Sequence, residues 1–215
     1  RAPGVPTGRS RLTMPREATR PRRVTRVVTD GERLSLDERE DVVVVEEPLE
    51  IRIAGDVVAT TMRTPGRDRE LVVGFLLAEG RIDGVADVGA VAPCGRPGEP
   101  GYGNVVDVTP APGGKLERPP PSGARRGTIG TSACGVCGRA TIDDLLARTP
   151  PVPAAAPVLT ASSLEAAVRA LPGAQPVFAA TGGAHAAALF RLDGVHVATF
   201  EDVGRHNAVD KLVGH

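Results

Sequence analysis

Short apolar runs, each bounded by glycine, proline or acidic residues, divide this chain of 215 residues into strand-sized pieces. Runs of this length that are rich in valine and isoleucine are typical of β-strands. Ala54-Gly55-Asp56 predicts a tight turn, and Asp193-Gly194 predicts a type I′ turn, so each should join two runs into a hairpin. The predicted strands cover residues 24–29, 42–45, 49–53, 57–62, 85–91, 104–108, 177–181, 187–192 and 195–200.

Helical periodicity is confined to a few segments. Residues 68–79 place leucine, valine and phenylalanine on one broad face and end at Gly80, which predicts a buried helix. Further helices are predicted over residues 139–148, from a cap at Ser162 or Ser163 to Leu171, and after the polar stretch that begins at Glu201. Strands therefore dominate first and alternate with helices later, which predicts an α/β fold with a smaller β-rich N-terminal portion.

Composition divides the chain into four segments. Residues 1–26 are rich in arginine and proline and predict a flexible basic arm. Residues 27–109 form the β-rich portion with one helix, residues 110–128 a Pro/Gly-rich loop, and residues 129–215 the α/β domain.

Overall charge and cysteine content exclude several classes of protein. Basic and acidic side chains balance at 26 each and aromatic residues make up 2% of the chain, so nucleic acid and an anionic membrane are not expected partners. Three cysteines do not make a disulfide framework, and no apolar run approaches a membrane span or a signal segment. We therefore expect a cytoplasmic protein.

The stretch GTSACGVCG at residues 130–138 carries the strongest chemical signal. Its two cysteines, Cys134 and Cys137, precede the predicted helix 139–148, where unpaired N–H groups and the helix dipole favour a thiolate. The spacing leaves several interpretations open: half of a zinc site, a dithiol redox pair, two packed thiols, or covalent sulfur or acyl chemistry. Cys94 lies in a Gly/Pro-rich loop without a partner at metal spacing and is interpreted as incidental.

Two further stretches concentrate functional groups. TGGAH at residues 181–185 ends a predicted strand, where it is either a ligand site or an ordinary turn with a surface histidine. EDVGRHNAVDK at residues 201–211 enters a helix. There Arg205 could hold phosphate and His206 could move a proton, unless the stretch is simply a charged surface helix.

Together these three stretches resemble the signatures of the FdhD family of formate dehydrogenase accessory sulfurtransferases. RTPG at residues 63–66 and ELVVGFLLAEG at residues 70–80 resemble the N-terminal helix region of the same family. The likeness extends from about Val42 to His215, although family members continue beyond the position of His215.

The resemblance implies a cytidine-deaminase-like α/β/α layer, a homodimer and a cytoplasmic sulfur carrier. It implies that sulfane sulfur passes from a cysteine desulfurase to the molybdenum bis-guanine-dinucleotide cofactor, which is substrate rather than a permanently bound group, for formate dehydrogenase. By motif position Cys134 would carry a persulfide, Cys137 would assist, and no metal ligands are implied. The HxE and PCxxC motifs of deaminases are absent from the sequence, so a zinc-activated water is not expected. The residues expected to bind the cofactor are Gly135, Gly138, Gly182, Gly183, His185, Arg205, His206 and Asn207.

The sequence is also compatible with two other functions. One is a non-catalytic chaperone that binds the guanine-dinucleotide cofactor and docks it onto formate dehydrogenase. The other is a structural module that binds zinc through the CxxC motif. A persulfide formed on a cysteine would favour the sulfur carrier, and stoichiometric zinc would favour the module.

Overall fold

A computed structural model describes residues 18–31, 33–99, 101–116, 129–130 and 159–215. The strands are β1 (Thr19–Asp30), β2 (Arg33–Val44), β3 (Glu47–Ile53), β4 (Asp56–Arg63), β5 (Val88–Pro93), β6 (Val105–Pro110), β7 (Ile129–Gly130), β8 (His185–Phe190) and β9 (His196–Asp202). The helices are α1 (Asp68–Ala78), α2 (Ala161–Ala170), α3 (Pro176–Thr181) and α4 (Arg205–Val213), with 3₁₀ turns at Val85–Asp87 and Leu171–Ala174.

A mixed five-stranded sheet in the order β5-β6-β3-β4-β7 forms the centre of the described structure. β3 pairs antiparallel with β4 and parallel with β6, and alternate residues of β3 (Leu49, Ile51 and Ile53) are fully buried. The apolar face of α1 packs against these residues, because Leu71, Val72, Val73 and Leu76 belong to the same core cluster. The strand period of two and the helix period of 3.6 thus present matching apolar faces.

The predicted turn at Ala54 and Gly55 is confirmed. Both residues have positive φ, 49° and 89°, and Ile53 pairs with Asp56 across the two-residue loop. This is the geometry of a type I′ hairpin.

The start of the chain differs from the prediction. Residues 19–26, assigned to a flexible arm, lie in β1, which pairs with β2 along its whole length in a two-stranded ribbon. Residues of opposite charge lie opposite each other across the ribbon, as in the pairs Arg23–Glu40 and Arg26–Asp37. The composition of residues 19–26 alone does not indicate this pairing with β2. Residues 1–17 lie outside the described part of the chain.

The second predicted hairpin forms between β8 and β9, with a different loop. Five residues, Arg191–Val195, connect the strands, and of the central pair only Gly194 has positive φ. A type I′ turn needs positive φ at both central residues, so that turn assignment was wrong. The Asp193 carboxylate instead accepts a hydrogen bond from the Val195 N–H at 3.1 Å.

Three predicted elements also require correction. Residues 177–181, predicted as a strand, form helix α3. The strand predicted from Val85 begins at Val88 after a 3₁₀ turn. The side chain that caps α2 is Thr160 rather than Ser162 or Ser163, because its Oγ1 accepts the Ser163 N–H at 3.1 Å.

Helices α1 and α4 approach each other closely through two glycines. A Cβ atom built on Gly74 would lie 1.9 Å from the Asp210 carbonyl oxygen, and one built on Gly214 would lie 2.0 Å from the Glu70 carbonyl oxygen. The absence of side chains at these two positions lets the backbones touch and sets α4 against the central core.

The mixed α/β fold class is confirmed, whereas the cytidine-deaminase-like layering and the segment boundaries stay predictions. The predicted helix 139–148 and the loop 110–128 from residue 117 onward lie outside the described residues. No helix in the described ranges has the length and apolar character needed to cross a bilayer.

Candidate functional site

A buried polar cluster joins the end of β9, the start of α4 and the turn that follows β4. Asp202 and Lys211 are 0% and 2% exposed, and Lys211 Nζ lies 2.7 Å from Asp202 Oδ2. Lys211 Nζ also donates to the carbonyl oxygens of Thr64 at 2.8 Å and Glu201 at 3.3 Å. The ammonium group therefore has a partner for each of its three protons, which is the condition under which a buried charge is tolerated.

Both carboxylate oxygens of Asp202 also accept hydrogen bonds from the protein. Its Oδ2 accepts from the Thr64 N–H at 3.1 Å, and its Oδ1 accepts from the Gly204 N–H at 2.8 Å and from Asn207 Nδ2 at 3.1 Å. The Thr64 hydroxyl in turn accepts from the Val203 N–H at 3.0 Å. The carboxylate thus ties the loop before α4 to the turn before α1.

Asn207, one of the predicted cofactor ligands, belongs to this cluster. Its Nδ2 donates to the Met62 carbonyl oxygen at 2.7 Å as well as to Asp202, so both amide protons are used within the protein. Its Oδ1 accepts from the Thr61 hydroxyl at 3.3 Å. The structure gives Asn207 a structural role, and its contact with a cofactor stays a prediction.

Glu201 caps helix α3. Its carboxylate accepts the N–H groups of Val177 at 2.9 Å and Phe178 at 2.7 Å, which satisfies two donors at the start of that helix. Pro176 at the first turn and Gly182 at the C-cap, with φ of 65°, complete the helix signals. This long-range cap explains why a segment that reads locally as a strand is helical.

Strand register brings two of the predicted stretches to one end of the β8–β9 hairpin. His185, the exposed first residue of β8, pairs with Asp202, the last residue of β9. Gly182 and Gly183 lie one residue before β8, and Arg205 and His206 begin α4 two residues after β9. Arg205 is exposed at the first position of α4, and His206 is half-buried.

Gly183 is constrained by its surroundings. A Cβ atom at this position would lie 3.0 Å from Val44 Cγ1 at the end of β2, and the Gly183 N–H donates to the Thr181 hydroxyl at 3.1 Å. Gly183 therefore has a packing reason that is independent of any ligand.

The first residue of the predicted cysteine stretch, Gly130, lies beside the buried polar cluster around Asp202 and Lys211. β7 pairs parallel with β4, with Gly130 opposite Thr61, and Thr61 is the residue whose hydroxyl contacts Asn207. Cys134, Gly135, Cys137 and Gly138 themselves lie outside the described residues. In the ranges that the structure describes, no group of three or more His, Cys, Asp or Glu side chains is placed to hold a metal ion.

Two features of this region were missed by sequence reasoning. Arg63 is 2% exposed and pairs with Asp68 through Nε and Nη2, at 3.0 and 3.1 Å. Burial, together with the nearby negative charges of Glu79 and Asp202, raises the pKa of Asp210, on α4, to about 7. Arg63 is the first residue of the RTPG motif. That motif singles the residue out but does not indicate that its side chain forms a buried ion pair.

Comparisons with known proteins agree with the motifs. The model of the FdhD/NarQ family matches residues 44–215. The Sulfur carrier protein FdhD of Anaeromyxobacter dehalogenans (strain 2CP-1) is 56% identical over 177 residues, which cover 81% of this chain and 60% of that protein. The protein of the same name from Mycolicibacterium paratuberculosis is 48% identical over 202 residues, covering 92% of this chain and 71% of that protein.

A solved structure has a similar fold. It is a crystal structure of a protein from Desulfotalea psychrophila described as a formate dehydrogenase accessory protein, with a TM-score of 0.63 and 22% sequence identity. The match covers 90% of this chain and 68% of that chain. The chain spans about 60% of the length of the Anaeromyxobacter relatives that it matches.

Proposed function

Because this chain belongs to the FdhD/NarQ family, we propose that it acts as a sulfur carrier protein in the maturation of formate dehydrogenase. In this proposal Cys134 takes sulfane sulfur from a cysteine desulfurase as a persulfide. The sulfur then passes to the molybdenum bis-guanine-dinucleotide cofactor, which is the substrate, with Cys137 assisting. The acting protein is a cytoplasmic homodimer.

The proposal is supported above all by the pairing of Gly130 with Thr61. Four peptide units separate Gly130 from Cys134, and four residues span at most about 14 Å. Thr61 contacts Asn207 near the start of α4, so Gly130, the first residue of the cysteine stretch, lies close to the helix start that carries Arg205 and His206. The proposal therefore brings two motifs that are about 70 residues apart in sequence to one edge of the sheet.

The chemistry of the first step needs an ionised thiol. The Cys134 thiolate attacks the outer sulfur of the desulfurase persulfide, a new S–S bond forms on Cys134, and the desulfurase cysteine leaves as a thiolate. A thiolate is the nucleophile in such exchange, and its fraction rises in electropositive surroundings. Arg205 at the start of α4 contributes positive charge to this end of the hairpin.

The same end of the hairpin supplies groups for an anionic cofactor. The exposed Arg205 stands at the N-terminus of the nine-residue helix α4, where N–H groups and an arginine together suit phosphate. His185 begins β8 opposite Asp202, His206 lies in the first turn of α4, and a Cβ atom on Gly182 would meet nothing within 4 Å, which leaves space before β8. We assign phosphate binding to Arg205 and the surrounding backbone, and proton transfer or hydrogen bonding to the two histidines.

Mass spectrometry after incubation with a cysteine desulfurase and cysteine tests the first step. We expect a gain of one sulfur atom mapped to the peptide that contains Cys134, and loss of this gain in Cys134→Ala. Cys94→Ala is the matched control, because Cys94 is a half-buried free cysteine on a different loop, and it should keep the gain.

Activity of formate dehydrogenase in cells separates the carrier from a chaperone. A Cys134→Ala protein that still supports full activity would contradict the sulfur carrier and favour a non-catalytic role. A gain of sulfur that persists in Cys134→Ala but disappears in Cys94→Ala would move the reactive thiol to Cys94 and contradict the assignment.

A further inference from the structure

Arg63, at the end of β4, has one nitrogen that the protein leaves without a hydrogen bond. Nε and Nη2 are fully used, by Asp68, by the Gly103 carbonyl oxygen at 3.3 Å and by Asn104 Oδ1 at 3.2 Å. Nη1 is buried and has no hydrogen-bond partner among the described residues. Buried charged donors are nearly always paired, so an orphan of this kind indicates a missing acceptor.

The group nearest to filling that role is the carboxylate of Glu47. Its Oε2 lies 3.7 Å from Arg63 Nη1, too far for a hydrogen bond, while its Oε1 accepts from Arg20 Nη2 at 2.9 Å. Glu47 therefore sits between two guanidinium groups and satisfies only one of them. Arg63, Arg20 and Glu47 line a pocket of about 470 Å³ together with Asp68, Tyr102 and Asn104.

We propose that this pocket binds an oxyanion, a phosphate or a carboxylate, whose oxygens bridge Arg63 Nη1 and Arg20 in the place that Glu47 partly occupies. Two arginines directed at one small volume suit the paired oxygens of such a ligand. The site lies at the start of β3 and the end of β4, and the inference does not rest on the sulfur carrier function.

Glu47 can give up its contact with Arg20 at low cost. The side chains of Arg20 and Glu47 are 58% and 31% exposed, and ion pairs that are this accessible contribute little to stability. With Glu47 in place, the charges of Arg20, Arg63, Glu47 and Asp68 cancel. When the Glu47 side chain turns outward, one net positive charge remains beside Nη1, and an incoming oxyanion neutralises it.

Removing the charge of Glu47 is therefore the informative change. Glu47→Gln should bind inorganic phosphate or acetate on the order of fivefold more tightly than the unchanged chain in calorimetric titration, since a single partly exposed charge is removed. Glu50→Gln is the matched control: Glu50 pairs with Arg52 on the same strand, outside this pocket, and its substitution should leave the affinity unchanged. Arg20→Gln should weaken binding by a similar factor.

Nuclear magnetic resonance tests whether Arg63 is the arginine that contacts the bound oxyanion. Addition of the oxyanion should shift the Arg63 Nε–H resonance, while that of Arg52 stays unchanged. Saturation by phosphate alone identifies a phosphate site, and saturation by acetate alone a carboxylate site. Equal affinities of Glu47→Gln and Glu50→Gln, or failure of Glu47→Gln to bind either anion, overturns the proposal.

Discussion

Lys211 Nζ lies 2.7 Å from Asp202 Oδ2, and neither side chain is more than 2% exposed. The pair closes a cluster that also contains Thr64 and Asn207, so the polar residues of the EDVGRHNAVDK stretch mostly hold the fold together. Arg205, at the start of α4, is the exposed polar member of this stretch, and His206 beside it is half-buried.

Breaking this pair should be costly. Lys211→Met keeps the aliphatic stem but leaves the Asp202 carboxylate buried without its cation, and we expect a loss of about 3 to 5 kcal/mol in the free energy of unfolding. Denaturation in urea measures the loss. Arg169→Met is the control, because it breaks the exposed Arg169–Glu165 pair, and it should change stability by less than about 0.5 kcal/mol. Similar losses in both variants would contradict a structural role for Lys211.

Gly74→Ala should destabilise the protein, contrary to the usual effect in helices. Alanine normally favours a helix over glycine by about 1 kcal/mol, but here the new Cβ would lie 1.9 Å from the Asp210 carbonyl oxygen. Separating α1 from α4 should cost at least about 2 kcal/mol, seen as a lower melting temperature. Gly173→Ala, where the new Cβ meets nothing within 4 Å, should leave the melting temperature nearly unchanged.

Asp210 should make stability fall as pH rises. Its pKa in the folded protein is raised from 3.8 to about 7, so the folded state holds a proton that the unfolded state has lost between these values. The contribution of Asp210 to the free energy of unfolding has its full value, about 3 to 4 kcal/mol, below about pH 4. It declines as the pH rises from there to about 7. Urea denaturation at pH 5 and pH 8 measures the decline.

Asp210→Asn, which cannot ionise, should lose this decline and be the more stable protein at pH 8. An unchanged difference between pH 5 and pH 8 in Asp210→Asn would show that other groups cause it.

Glu201→Ala should loosen α3 locally. The substitution removes the acceptor for the N–H groups of Val177 and Phe178, and loss of a capping side chain costs about 1 kcal/mol. Hydrogen exchange of these two amides should accelerate, whereas the core amides of Ile51 and Val72 should keep their protection. Glu165→Ala, an exposed change in α2, should leave all four amides as they are.

Arg205→Gln should weaken binding of a guanine nucleotide, if the proposed phosphate contact is correct. Loss of a charge-assisted hydrogen bond of about 1.5 kcal/mol corresponds to about tenfold lower affinity for guanosine diphosphate in calorimetry. Arg191→Gln, an exposed arginine in the β8–β9 loop, is the control and should bind as the unchanged chain does. Equal binding by both variants would remove Arg205 from the proposed site.

The local sequence was sufficient to predict an element wherever residues close together along the chain determine its conformation. The hairpin turn at Ala54-Gly55-Asp56 follows from a glycine and an aspartate between two apolar runs, and α1 follows from an apolar face that repeats with the helix period. The family could be recognised for the same reason, since its motifs are contiguous stretches.

Tertiary structure decided whatever depends on partners far away in sequence. Helix α3 exists where a strand was predicted because Glu201, 24 residues beyond Val177, supplies its cap. Thr64 and Lys211, 147 residues apart, meet at 2.8 Å, and no local pattern distinguishes such a buried lysine from one on a charged surface helix. Propensity and periodicity act over a few residues, whereas the burial that makes an ion pair structural is created only when distant segments pack together.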